Sequence, residues 1–426
     1  MEHWPVGLAI LIVLLLAGVP IAFALAGVGL VGVAMIIGWT PALSLIGSAF
    51  FDNGREYSLS VLPLFLMMGN FVVQSGIASE LYNSAYAWLR HRKGGLAMAT
   101  VVACGAFSSV CGSSMATAAT MTRISLPSMR RFGYPDRLST ASIAAGGTLG
   151  ILIPPSVILV FYGIMTQQDI GKLFLAGIIP GLIGIVGYAL AVKISIGMRG
   201  IDLPVEAKLP LIERFRALKG TAGALVLFVF VMGGIYLGVF TPTESAGMGA
   251  AGALLLVVVS GKFTWGGLLN VLYDTMKTTA MMFFILFGAL SFTNYVNMSG
   301  MTGDIQNWLS VFGGSPVAMI LAILVIYLVL GCMLEGLSMI MLTVPVFYPI
   351  VAAQGFDLIW FGIFVVVITE ISYITPPVGM NAFVLRSVVP DVRLGTIFRG
   401  LLPFVAMDIV RIGLIIAFPS LVLLLT

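Results

Sequence analysis

The stretch "GGTLGILIPPSVILVFYG", Gly146–Gly163, would read as one apolar helix but for four glycines and the adjacent Pro154 and Pro155. Proline lacks an N–H and so frees a carbonyl one turn earlier, while glycine permits backbone to turn away from the helix axis. The surroundings decide what such a break means. Of 426 residues, 60% are hydrophobic and 9% charged, against roughly a quarter charged in soluble domains. The mean hydropathy is +1.11, and apolar runs of membrane length recur along the chain. These features predict an all-α polytopic membrane protein embedded in a lipid bilayer. In hydrocarbon an unsatisfied backbone group costs several kcal/mol, so a broken helix survives where something binds it.

The same composition excludes several classes. A net charge of +4 confined to loops argues for topology and against nucleic acid as a partner. Cys104, Cys111 and Cys332 sit among apolar or small residues without metal spacing and read as free thiols. His3 and His91 form no ligand cluster, and neither GxxxxGK[ST] nor HExxH occurs, so no transition metal or catalytic site is expected. The run "GVGLVG" (Gly27, Gly29, Gly32) has dinucleotide spacing but lies inside an apolar run, which predicts close helix packing instead. The apolar start from Pro5 lacks a basic flank and a cleavage site, so it reads as retained, divided at Gly18 and Pro20.

The break recurs. An offset of 222 residues carries Pro154 and Pro155 onto Pro376 and Pro377, Pro127 onto Pro349, Gly133 onto Gly355 and Pro20 onto Pro242. This predicts an internal duplication: 1–198 as one repeat, 199–219 as a linker and hinge, and 220–426 as the other. Arg199 to Lys219 holds five basic residues and Arg90, Arg92 and Lys93 form a second cluster, which places both on the cytoplasmic side. Two crossings between them, near 137–165 and 172–198, leave 94–131 to enter and leave on one face as a re-entrant hairpin. Three crossings from Lys219 onward make the equivalent stretch, 315–352, open from the other face, followed by a broken helix at 357–386. About ten crossings are expected in all. Inverted repeats with broken helices belong to secondary transporters. Two amphipathic stretches, from Ser79 and from Asp304, precede the hairpins and read as interfacial levers or as ordinary loop helices.

The tips of the two hairpins are rich in small polar residues. The first, "SSVCGSSMATAAT", offers Ser108, Ser109, Ser113, Ser114 and Thr117, either as oxygen ligands for a hard cation or as helix-packing residues. The second, "GCMLEGLSM", contains Gly331, Glu335, Gly336 and Ser338. If the halves fold alike, each tip meets the break of its own repeat, giving two cation sites with an anion-binding cleft between them. Glu335 and Glu370 flank the second site as ligands, orienting groups or proton carriers. Glu244 reads as a first-turn acid at a helix N-terminus, and Asp408 and Arg411, at i and i+3, as a mutually neutralising pair. Arg123 either snorkels to the interface or faces an anionic substrate.

Five stretches together resemble the large membrane subunit of tripartite ATP-independent periplasmic (TRAP) transporters: "GSSMATAAT" at 112–120, "AAGGTLGILIPPS" at 144–156, "GVFTPTESAG" at 238–247, "GCMLEGLSMIMLTVP" at 331–345 and "ITPPVGMN" at 374–381. The resemblance covers essentially the whole chain. Two departures stand out: the family commonly has Asp where Glu335 stands and small residues near Arg123. The resemblance implies a scaffold with a moving, elevator-type transport domain in the bacterial inner membrane. It implies sodium-coupled import of an organic acid such as a dicarboxylate or sialic acid, with no cofactor beyond the sodium ions. It further implies a small four-helix membrane partner and a periplasmic substrate-binding protein. Carried over residue by residue, it assigns Ser108, Ser109, Ser113, Gly147 and Gly150 to one sodium site. The second would use Gly331, Glu335, Gly336, Thr369, Ser372 and Thr375, and the substrate would meet Ser114, Thr117, Ser338 and Asn381, with Arg123 as the further candidate. A self-sufficient sodium- or proton-coupled divalent-anion symporter shares these features and is the alternative. A channel, or an intramembrane enzyme using Ser113, is disfavoured; no histidine lies near Ser113 to act as a base.

Overall fold

The computed structural model describes residues 4–200, 202–310, 315–331 and 334–426. Cys332 and the end of the second amphipathic stretch therefore lie outside the described residues. Among the described residues every regular element is helical. Seven helices are long and apolar enough to cross a membrane, and six shorter apolar helices accompany them. Five of the short ones are short for identifiable reasons. Gly95–Cys111 and Pro316–Gly331 are first arms of hairpins, Val157–Thr166 and Leu358–Ile374 are pieces of broken helices, and Trp4–Leu16 stops before Gly18 (φ +83°) and Pro20.

The 222-residue offset orders the whole architecture. It carries Ser114–Arg131 onto Gly336–Ala353, residue for residue, and Ile170–Arg199 onto a span containing Leu394–Ala417. It also relates Ile77–Leu89 to Met301–Ser310, the two helices that lead into the hairpins. Among the described residues the halves differ most plainly before the first hairpin. Trp265–Met298 runs unbroken for 34 residues, whereas its counterpart is divided into Trp39–Gly54 and Val61–Ser75 by Arg55–Ser60, which includes a turn of 3-10 helix.

Two groups of helices result. In one, Ile21–Ile37 packs on Trp265–Met298, and its pseudosymmetric counterpart Pro242–Val259 packs on Val61–Ser75. Each repeat thus lends a helix to the other. The glycines of "GVGLVG" explain the first contact: a Cβ on Gly29 would lie 2.5 Å from the Ser291 carbonyl carbon, and one on Gly32 would overlap the Tyr295 ring. Gly27 faces open space and takes no part. The Pro242–Val259 helix begins with a capping box, in which Glu244 accepts from the Thr241 N–H (2.8 Å), as a first-turn acid should.

The second group holds both hairpins, both broken helices, Ile170–Arg199 and Leu394–Ala417. The linker is not a loose hinge. Arg90 pairs with Glu206, the Ser84 hydroxyl donates to the Ala217 carbonyl (2.6 Å), and Trp88 meets Phe215 edge-on. These contacts fasten 202–217 onto the helix that leads into the first hairpin, because the linker's polar groups find partners on that helix's exposed side.

Candidate functional site

The first break opens slightly later than its glycines suggest. Helix continues from Asp136 through Thr148, tightens to 3-10 over Leu149–Ile151, and unwinds only over 152–156. Gly146 and Gly147 therefore lie in regular helix, and the Gly146 carbonyl accepts from the Leu149 N–H. The second break unwinds over 375–379, and both Pro–Pro bonds are cis.

What the glycines provide is close approach. A Cβ on Gly150 would overlap that of Ser108, and one on Gly147 would crowd the Ser114 carbonyl (3.2 Å) and Asn381 Nδ2 (3.3 Å). The first tip thus rests directly on the first break. The second repeat makes two comparable contacts with the small residue moved to the other partner, the first of them one hairpin position along, since Gly331 answers to Ser109 rather than to Ser108. A Cβ on Gly331 would lie 2.5 Å from Ser372 Cβ, where Ser372 is the counterpart of Gly150. A Cβ on Gly336, the counterpart of Ser114, would lie 2.5 Å from Thr369 Cγ2, the counterpart of Gly147. Each contact needs one missing Cβ, and either side can supply it.

The two tips are also capped at equivalent positions. Ser113 accepts from the Ala116 N–H (3.3 Å) at the start of Ser114–Arg131. Its counterpart Glu335 accepts from the Ser338 N–H (3.3 Å) at the start of Gly336–Ala353. The intramembrane carboxylate is therefore an N-cap, placed where the helix dipole favours negative charge. Tyr373 completes this tip: its hydroxyl accepts from the Gly336 N–H (2.9 Å) and lies 3.5 Å from Glu335 Oε1. The sequence reading passed over Tyr373, although a phenol three residues before a Pro–Pro pair in an apolar run was its visible mark.

The remaining cation candidates spend their hydroxyls locally. Ser108 donates to the Cys104 carbonyl, Ser109 to Ala106 (2.8 Å), Thr369 to Val365 (2.9 Å), Ser372 to Thr369 (2.7 Å) and Thr375 to Ile371 (2.5 Å). Back-bonding of this kind satisfies a hydroxyl in an apolar interior and turns its oxygen toward its own helix.

A cavity of about 510 Å³ lies between the tips and the first group of helices. Ser113 and Ser114 from one tip and Glu335 and Ser338 from the other line it, with Ile151 and Val157 from the edges of the first break. Phe23, Leu66, Met281, Met282 and Phe284 form the opposite wall, an apolar surface that the motifs did not single out. Thr117, Arg123 and Asn381 are not on the wall. Thr117 is fully buried, and Arg123 is exposed on its helix about two and a half turns beyond Ser114. Asn381 sits behind the first tip. Its Nδ2 donates to Ser114 Oγ (2.8 Å) and to the Ala144 carbonyl (2.9 Å), and its Oδ1 accepts from Ser114 Oγ (3.0 Å). It ties a segment of the second repeat to the tip and break of the first. Asn381→Ala is expected to cost about 1–3 kcal/mol, because it strands buried polar partners; thermal unfolding of the purified chain in detergent measures it.

Behind both breaks lies a buried charged cluster. The i,i+3 pairing of Asp408 and Arg411 is present (2.8 Å), but the same guanidinium also pairs with Glu370. The Tyr188 hydroxyl donates to Asp408 Oδ2 (2.7 Å) and stands 3.2 Å from Thr148 Oγ1. Thr148 and Glu370 are counterparts under the 222-residue offset, so one network reaches the end of the regular helix before each break. Glu370 is thus turned toward Arg411, 41 residues away, a partner that sequence spacing does not reveal. Cys104 and Cys111 are buried and unbridged, as expected.

Comparison with known proteins places this geometry. A family model described as the tripartite ATP-independent periplasmic transporter, DctM component, matches residues 8–421. The C4-dicarboxylate TRAP transporter large permease protein of Pseudomonas aeruginosa is 36% identical over 92% of each chain. The sialic acid TRAP transporter large permease protein of Vibrio cholerae is 31% identical over 97% of this chain and 96% of its own. Among solved structures, the YdaH transporter of Alcanivorax borkumensis shares the fold at a TM-score of 0.66 and 18% identity, covering 90% of each chain.

Proposed function

Since the chain belongs to the TRAP transporter family as a large permease component and is a multi-pass protein of the inner membrane, we propose that it carries out sodium-coupled import of an organic acid, a dicarboxylate, sialic acid or similar carboxylate. It works with a small membrane subunit and a periplasmic binding protein that delivers the substrate. The hairpins and broken helices move together as the transport domain against the scaffold of Ile21–Ile37, Val61–Ser75, Pro242–Val259 and Trp265–Met298, in an elevator stroke.

The observation that carries this reading is the cavity shared by both tips and the scaffold. Two helix N-termini converge there with hydroxyls and one carboxylate, and their partial positive charge suits a carboxylate substrate. The apolar scaffold wall offers few polar contacts to break, which suits a surface along which a loaded domain slides. Coupling ions bind at the two tip–break contacts, where backbone carbonyls of the unwound segments supply oxygens to a hard cation.

Uptake of labelled succinate and sialic acid into proteoliposomes tests this, with binding protein, small subunit and sodium omitted in turn. Uptake of one acid is expected only with all three present and an inward sodium gradient. Uptake by this chain alone would replace the reading with a self-sufficient symporter. Uptake that ignores sodium and follows a proton gradient would overturn the ion assignment.

A further inference from the structure

The linker carries a surface that import does not use. Helix Leu211–Ala217 exposes Leu211 (64%), Ile212 (69%) and Phe215 (59%) on one side, while Arg214, round the helix beyond Leu211, is buried. At 100° per residue the three apolar side chains span one continuous arc, with exposed Arg216 at its edge. The buried side is the one held to the helix Ile77–Leu89: Arg214 stacks over Trp88 (5.8 Å) and its Nε donates to the Leu209 carbonyl (2.9 Å). Leu211 and Ile212 therefore face away from the protein, while Phe215 touches Trp88 with one edge and leaves the rest of its ring exposed.

The charges around it are unbalanced. Glu206 is taken by Arg90 and Asp202 by Lys93 (3.5 Å). Arg92, Lys208, Arg216 and Lys219 remain exposed with no described ion pair, against one exposed acid, Glu213, on the same helix. Desolvation, then the positive charge of Arg214, Lys208 and Arg92, holds the imidazole of His91 below its ordinary value. An apolar arc flanked by basic side chains, at the N-terminal end of the apolar helical stretch Leu211–Tyr236, matches a segment lying in the bilayer interface.

We propose that this linker is a docking surface for anionic phospholipid headgroups. Lys208, Arg216 and Lys219 meet the phosphates, while Leu211, Ile212 and Phe215 enter the acyl layer. Because the linker is fastened to the helix that leads into the first hairpin, the contact anchors that helix to the cytoplasmic leaflet. The inference stands on the linker alone and does not depend on substrate or ion assignments.

The test uses the full chain in nanodiscs, with Ile212→Cys labelled by a polarity-sensitive fluorophore and the labelled parent chain as background. Quenching is compared between brominated phosphatidylglycerol and brominated phosphatidylcholine. Phosphatidylglycerol is expected to quench at least about five-fold more effectively at low lipid fraction, since each basic side chain near an anionic surface favours contact by roughly that factor. High salt and the triple variant K208E/R216E/K219E should both abolish the preference. Equal quenching by both lipids, quenching by neither, or a preference that survives charge reversal would each overturn the proposal. Because all three substituted side chains are exposed, size-exclusion behaviour and thermal unfolding should stay unchanged.

Discussion

Arg411→Ala is expected to be the most destructive single substitution in the chain. It leaves Glu370 and Asp408, both essentially unexposed to solvent, without their shared guanidinium. Removing one partner from a buried ion pair costs about 3–5 kcal/mol, a large part of the stability of a typical domain. The expected result is loss of monodisperse protein on extraction, or a steep fall in thermal unfolding temperature. The cost arises from stranded charge, so a neutral replacement of the whole cluster should recover much of it. Glu370→Gln and Asp408→Asn combined with Arg411→Met should be more stable than Arg411→Ala alone. If the triple variant is no better, the cluster acts through packing rather than charge. Gly184 adds a local constraint: a Cβ there would overlap Arg411 Nη1, so Gly184→Ala should perturb the same network.

The second large effect concerns the contact between tip and break. Gly150→Ser places a side chain onto Ser108, and overpacking of this kind costs about 1–3 kcal/mol. The larger consequence should be functional, since the displaced parts are the tip and the break themselves. Sodium-dependent uptake is expected to fall at least ten-fold while the protein still folds. The second repeat shows a comparable solution one hairpin position along, with a glycine on the hairpin at Gly331, the counterpart of Ser109, and a serine on the broken helix at Ser372. Combining Gly150→Ser with Ser108→Gly should restore a substantial part of the uptake. A double variant as inactive as the single one would show that the Ser108 hydroxyl, rather than the spacing, is what the site requires.

These two expectations also mark how far the residues could be read without coordinates. The membrane class followed from composition. Duplication followed from five spacings at one offset, since proline and glycine impose their backbone effects wherever they occur. Those residues also located the hairpin ends and both breaks within a few positions. The first-turn acid Glu244 was likewise a local matter, decided by neighbours within one turn. The precise point of unwinding was not local. Glycines at 146 and 147 can stay helical when a hairpin packs against them, and only the two prolines force the chain out of the helix.

Side-chain partners were the part the sequence withheld. That Glu370 meets Arg411, that Asn381 lies behind Ser114 rather than on the cavity wall, and that Arg123 points outward all depend on which helix faces each segment. So does the apolar wall opposite the tips, which Phe23 and Met281–Phe284 bring from two different repeats. The sequence by itself determined a helical membrane protein whose helices recur at one offset and break at two proline pairs, because backbone chemistry and hydropathy act within a few residues. Only the tertiary structure decided how the halves interlock, with each lending a helix to the other. It also decided which polar groups line the shared cavity and which are spent holding it together, because those pairings join residues hundreds of positions apart.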